Sequence, residues 1–262
     1  MQMYRATPIV QQLLLINVVL FLVHSLLGLN LVDSLGLRYI LSDYFRPYQF
    51  FTHLFVHANL GHLGGNMLAL LTFGPMLEQT LHAKKFIMFY VITGLGAAAL
   101  YASIQYFEMS RLEALYYAYL VQPNPTSFVA YLRHFHHGTY NAFSPFIASF
   151  FEHSDDLVYI AKSKEIVGQL YTLKANMPTV GASGSVFGIF TAFAMLFPNT
   201  VLFLFFVPFP IKAKYVIAVY SAYELFAGIK NNPADNVAHF AHLGGIVFAY
   251  LFIRWWKQRN AY

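Results

Sequence analysis

Apolar residues gather in six long blocks separated by polar or basic connections. The blocks are about Val10–Leu29, Leu60–Leu81, Phe86–Tyr106, Ser183–Phe197, Tyr215–Ile229 and Val237–Trp256. A helix of roughly 20 apolar residues crosses the ~30 Å hydrocarbon core of a bilayer. The pattern therefore predicts six membrane-spanning helices. The first block follows Arg5 and has no small-residue cleavage site behind it, so it reads as a retained helix. The fourth and fifth blocks are short, and Pro198 closes the fourth. A helix of about 15 residues reaches only about 22 Å. Its head, at Ser183, is expected below one membrane face.

Composition supports a membrane protein. Of the 262 residues, 58% are hydrophobic and 10% are charged, too few charges to coat a soluble globule and too much apolar mass for a disordered chain. There is no Cys, which excludes disulfides, thiolate metal sites and a Cys nucleophile. The net charge is +5, but the basic residues are scattered, and no nucleic-acid partner is expected. Eight basic residues flank one side of the spans (Arg5, Lys84, Lys85, Lys212, Lys214, Arg254, Lys257, Arg259). Three lie in the short loops of the other (Arg38, Arg46, Lys230). The positive-inside bias then puts both termini in the cytoplasm and the heads of the fourth and sixth helices outward.

The chain divides into residues 1–106 with three spans, a long outer stretch 107–180, and residues 181–262 with three more spans and a short tail. The outer stretch mixes aromatics with charges. Its longest apolar run, Tyr140–Phe151, contains Pro145 and is too short to cross. It reads as amphipathic helices and loops at the outer interface, with a separate lobe as the alternative.

Three small-residue motifs carry the chemistry. Gly181-Ala182-Ser183-Gly184-Ser185 opens the short fourth helix. Flanking Gly and Ala let a neighbouring helix and a substrate chain approach the hydroxyl; Gly184 and Gly188 repeat at helical spacing. A packing seam with Ser183 as an N-cap explains the same residues. Ala241-His242-Leu243-Gly244-Gly245 puts an ionisable group inside the sixth span, where it is costly and by default functional. His239 lies one turn earlier and reads as a polar interfacial residue. In His62-Leu63-Gly64-Gly65-Asn66, the four-residue spacing puts His62 and Asn66 on one helical face, both able to donate toward a developing oxyanion. Metal binding by His53, His57 and His62 is the alternative, without a nearby carboxylate to complete a zinc site.

Together, in this order on a six-span frame, the three motifs resemble the rhomboid family of intramembrane serine proteases. The resemblance covers about residues 8–106 and 178–256, including Gly74…Glu78 and Lys212–Gly228. It implies an all-α, six-helix bundle in which Ser183 is the nucleophile, His242 the general base, and His62 and Asn66 the oxyanion donors. It implies no acidic third member, no metal and no cofactor. Single-span membrane proteins are the implied substrates. The loop Asn30–Gln49 would sit partly in the outer leaflet, with Tyr215–Ile229 and Lys230–Asn236 gating access. Two features depart from the family: residues 107–180 are longer than its usual connection, and Arg46-Pro47-Tyr48 stands where many members carry Trp-Arg. Size suggests a bacterial cytoplasmic membrane.

Other polar groups have plainer readings. Glu78 and Glu224 read as structural hydrogen-bonding groups between helices, and Asp235 as part of a turn. Arg133-His134-Phe135-His136-His137 reads as a solvated or headgroup-facing edge. The rival functions are a rhomboid-like pseudoprotease that binds or delivers helices, and a small transporter or proton channel. Retention of both Ser183 and His242 favours the enzyme over the first. The second is disfavoured because the polar groups gather near the outer face, not the midplane.

Overall fold

The first apolar block folds as α1 (Pro8–Leu26), with Pro8 in the first turn, where a missing N–H costs nothing. The structure is a computed structural model describing residues 6–135, 137–203, 209–230 and 238–259. Two short helices, α2 (Leu31–Leu35) and α3 (Gln49–Thr52), lead through a 3-10 turn at His53–Phe55 into α4 (Leu60–Leu81). Then come α5 (Ala83–Val121), α6 (Pro125–Phe135), α7 (His137–Ala142), α8 (Ser144–Glu152) and α9 (Leu157–Asn176). The last part holds α10 (Ser183–Leu196), a two-residue antiparallel pairing of β1 (Val201–Leu202) with β2 (Ile211–Lys212), α11 (Ala213–Lys230) and α12 (His239–Arg259). Each of the six expected spans contains a helix, and among the described residues the fold is all-α apart from that pairing. Helices α1 and α5 are long and apolar enough to cross a membrane, and α10 is a shorter apolar helix. Val237 and Asp235, with the gate loop beyond Lys230, lie outside the described residues, as do Arg5 and His136.

One boundary differs markedly from the expectation. The third span was expected to end near Tyr106, but α5 continues unbroken for 39 residues to Val121. Charges at Glu108, Arg111 and Glu113 end the apolar run, yet they are good helix formers. No Gly or Pro follows Gly96 until Pro123. Hydropathy ends the span there, whereas proline ends the helix. At 1.5 Å per residue α5 is about 58 Å long, far more than one bilayer core.

Two hydrophobic cores result. One joins α1, α4, α5, α10 and α12 through residues such as Leu70, Phe89, Val186 and Ile253. The other joins the far end of α5 to α6, α8 and α9 through Leu112, Tyr119, Phe128, Phe150 and Val167. Residues 107–180 are thus helices packed on a second core, which Tyr39 of the first loop also joins, with Tyr119 donating to the buried Ser163 hydroxyl at 2.5 Å.

Polar ties fix the frame. The Glu78 carboxylate accepts from the N–H groups of Ile9 (3.1 Å) and Val10 (3.0 Å) and from the Thr7 hydroxyl, so it caps α1. Leu37 and Thr179 exchange two backbone hydrogen bonds of 2.8 Å, joining the first loop to the chain that enters α10. Buried Gln49 holds that loop, accepting from the N–H groups of Arg38 (3.4 Å) and Arg46 (3.2 Å) and donating to the Tyr44 carbonyl (3.1 Å). Anchoring here therefore runs through Gln49.

Candidate active site

The chain reaches Ser183 through a constrained turn. Gly181 has φ +124°, a conformation L side chains rarely adopt. Its N–H donates to the His53 carbonyl at 2.9 Å. A Cβ at this position would lie 2.5 Å from Cε1 and 2.6 Å from Nε2 of His62. Glycine is what allows the His62 ring to lie against the chain two residues before Ser183. His62 itself is set by a cap: the Asn59 side chain accepts from the His62 N–H at 2.9 Å and starts α4.

Ser183 is the first residue of α10, and Ala182 holds the N-cap position. The capping reading therefore does not apply. Ser183 is half-buried, and its hydroxyl makes no hydrogen bond with any described residue. Ser185, by contrast, is fully buried and donates to the Tyr90 carbonyl at 2.7 Å, a packing role.

Small residues bring α12 and α5 onto α10. A Cβ on Gly245 would lie 2.0 Å from the Gly184 carbonyl oxygen, and one on Gly184 would lie 2.4 Å from the Ala97 Cβ. Gly188 packs in the same way on Thr93. At this seam the His242 ring stacks on Phe187, with centroids 4.0 Å apart and planes 12° apart. Phe187 is one turn from Ser183 on the same face. His242 is 8% exposed. The His62 and His242 rings are near enough to interact electrostatically. The three motifs therefore meet at one end of the bundle.

Asn66 is buried beneath His62, and its side-chain amide donates to Nε2 of His57 at 3.0 Å. The rings of His57 and His62 meet edge-on with centroids 5.0 Å apart. Burial, and then the neighbouring His62, hold His57 down at about 3. Its ring stays neutral and keeps its acceptor nitrogen toward Asn66 through ordinary acid. His53 instead donates from Nδ1 to the Gln49 carbonyl at 2.9 Å. Among the described residues, His53, His57 and His62 do not gather as a metal site.

Sequence reasoning missed one contact and undervalued another. Phe187 was not singled out, although an aromatic four residues after the serine marks the same face. Glu224 was read as a structural group, and His239 as interfacial. Both are buried, at 2% and 8% exposure. One carboxylate oxygen of Glu224, Oε2, lies 2.8 Å from Nδ1 of His242 and 2.7 Å from Nδ1 of His239. These three side chains form the one group of metal-ligand type found among the described residues. Their spacings are N–H···O hydrogen-bond lengths.

Residues 44–112 and 157–257 match the family model of the Rhomboid domain. The chain belongs to the rhomboid family. No curated protein sequence matches it. As a rhomboid it is an integral membrane protein and a polytopic helical bundle. The rhomboid match contains all three motifs and passes over residues 113–156, which hold the end of α5 and α6 to α8.

Proposed function

We propose that this rhomboid is an active intramembrane serine endopeptidase that cleaves single-span membrane proteins within the bilayer, near its outer face. Ser183 attacks the scissile carbonyl while His242 Nε2 takes its proton. His62 and Asn66 donate to the oxyanion. The acyl-enzyme forms as the C–N bond breaks and the amine leaves with the proton from His242. Water, activated by the same imidazole, then frees the acid product. Both termini in the cytoplasm fit the distribution of basic residues, and the size of the chain suits a bacterial cytoplasmic membrane.

The observation that supports this reading most is the stack of His242 on Phe187, one turn from Ser183. A binding module has no need to stack an imidazole on the face of α10 that carries a half-buried serine. The pseudoprotease reading keeps the frame without this pairing.

The test is labelling by a serine-directed fluorophosphonate, together with cleavage of a single-span reporter in proteoliposomes. The parent is expected to label and cleave. Ser183→Ala should lose labelling and drop cleavage on the order of 10⁶-fold, the usual cost of removing a nucleophilic serine. Labelling that persists in Ser183→Ala would reassign the nucleophile. A folded parent that neither labels nor cleaves would favour the pseudoprotease.

A further inference from the structure

Glu224 is a carboxylate buried in a membrane helix, where an unpaired charge is expensive. Its neighbours on α11 do little to bury it: only Ala213 and Gly228 are buried with it on that helix. What compensates it lies on α12. His239 and His242 are three residues apart and on one face, and each presents Nδ1 to the same oxygen, Oε2, at 2.7 and 2.8 Å. An ionised carboxylate only accepts hydrogen bonds. Each Nδ1 therefore carries a hydrogen, which leaves Nε2 as the basic nitrogen of His242.

Two contacts then fix that ring. The stack on Phe187, at 4.0 Å, sets its plane. The bond to Glu224 sets its rotation within the plane and its tautomer. This is what a general base beside a serine needs: the lone pair on the free nitrogen, and an anion behind the ring when it becomes imidazolium.

Resting on the protease reading above, we propose that Glu224 is the positioning residue of His242, so that the site works as a Ser183–His242–Glu224 triad, with His239 holding the same carboxylate oxygen. The proton of the Ser183 hydroxyl moves to His242 Nε2 as the Oγ–C bond forms. The Nδ1 hydrogen stays on Nδ1, and Glu224 remains a carboxylate throughout. The same proton passes from Nε2 to the leaving nitrogen when the C–N bond breaks. The bare pair implied by family resemblance is thus extended in this chain by a carboxylate from α11.

The ionisable groups of this cluster are His242, His239 and Glu224, with His62 from α4 near His242, Tyr220 from α11 near Glu224, and Tyr223 from α11 against the His239 ring. Removing the anion among them makes the imidazolium harder to form. In a Glu224→Gln variant the acid limb of the kcat/KM profile should therefore move to lower pH. A merely structural role would not move it.

The experiment uses the full chain in proteoliposomes, comparing the parent with Glu224→Gln, Glu224→Asp and His239→Gln. Cleavage kinetics are read against pH, and thermal unfolding against the parent. Nitrogen-15 histidine spectra report the Nδ1 hydrogen of His242, independently of activity. For Glu224→Gln the expected result is a fall in kcat of at least about tenfold, up to the roughly 10⁴-fold that a wrongly held imidazole costs. KM should be little changed, the acid limb should shift downward, and the Nδ1 signal should be lost or displaced. Glu224→Asp should recover part of the rate, and His239→Gln should lose less than Glu224→Gln.

Parent kinetics and an unmoved acid limb in Glu224→Gln would overturn the proposal. So would loss of parental activity on chelation, which would make the three groups a metal site. If the parent itself does not cleave or label, the protease reading fails. The histidine spectrum then still decides whether Glu224 holds His242: an Nδ1 signal that depends on Glu224 supports the positioning contact, and one that does not refutes it.

Discussion

Helices α10 and α11 are neighbours of the same histidine and are held in opposite ways. Nine of the fourteen residues of α10 are buried; Gly184 and Gly188 lie against Ala97 and Thr93 of α5, and Gly245 of α12 lies against the Gly184 backbone. On α11 only Ala213, Glu224 and Gly228 of eighteen residues are buried, and large apolar side chains such as Val219, Phe226 and Ile229 face outward. The helix that carries Ser183 is locked by steric fit. The helix that carries Glu224 is held to α12 by the Glu224 hydrogen bonds and the close approach of Gly228 to His239, and to α10 by the Tyr220 ring against Phe187, while most of its surface faces outward. Precision in this bundle is concentrated where small residues meet, and substitutions should hurt in proportion.

Gly245→Val should have the largest effect. A Cβ there would sit 2.0 Å from the Gly184 carbonyl oxygen, and backbone cannot move aside as a flexible side chain can. Overpacking of this kind costs about 1–3 kcal/mol, and here it also separates Ser183 from His242. Thermal unfolding and fluorophosphonate labelling should both fall sharply. A variant as stable and reactive as the parent would mean that α10 and α12 do not meet at this seam.

Gly181→Ala comes next and sharpens the contrast by sparing the seam. The added methyl meets the His62 ring at 2.6 Å or closer, on a backbone of φ +124°. A left-handed or otherwise strained L residue costs roughly 1–2 kcal/mol. His62 can swing away, so the fold should survive while the oxyanion donor is displaced. Labelling should slow by more than the stability loss accounts for. Equal losses in both would assign Gly181 to folding alone.

These residues differ in how visible they were in the sequence. The six helices follow from apolar block length, and Ser183, His242, His62 and Asn66 stand in motifs whose spacing points to one site. Their meeting does not follow from spacing, because it depends on Gly184 reaching Gly245 across two helices. The length of α5 did not follow from its apolar block, because hydropathy marks where a span leaves lipid, while Pro123 marks where the helix stops. The second core was hidden for a related reason. The helices α6 and α8 are amphipathic, and only their packing with α9 on α5 distinguishes a closed lobe from separate surface helices. Glu224 was visible as a costly intramembrane carboxylate, but its partners lie fifteen and eighteen residues away, beyond any local pattern.

The smallest effect should come from the outward face of α11. Val219 is 71% exposed and makes no ring or hydrogen-bond contact with the site. In a bilayer its side chain exchanges lipid for lipid when the helix packs, so there is little burial energy to lose. Val219→Ala should therefore change stability by no more than about 0.5 kcal/mol, and cleavage by no more than about twofold. The comparison that matters is within one helix. Glu224 lies five residues further along, and its replacement by Gln is expected to cost far more rate with less change in volume. If Val219→Ala slowed cleavage as much as Glu224→Gln, α11 would act as a packed unit like α10, and its hold on the site would not rest on hydrogen bonds.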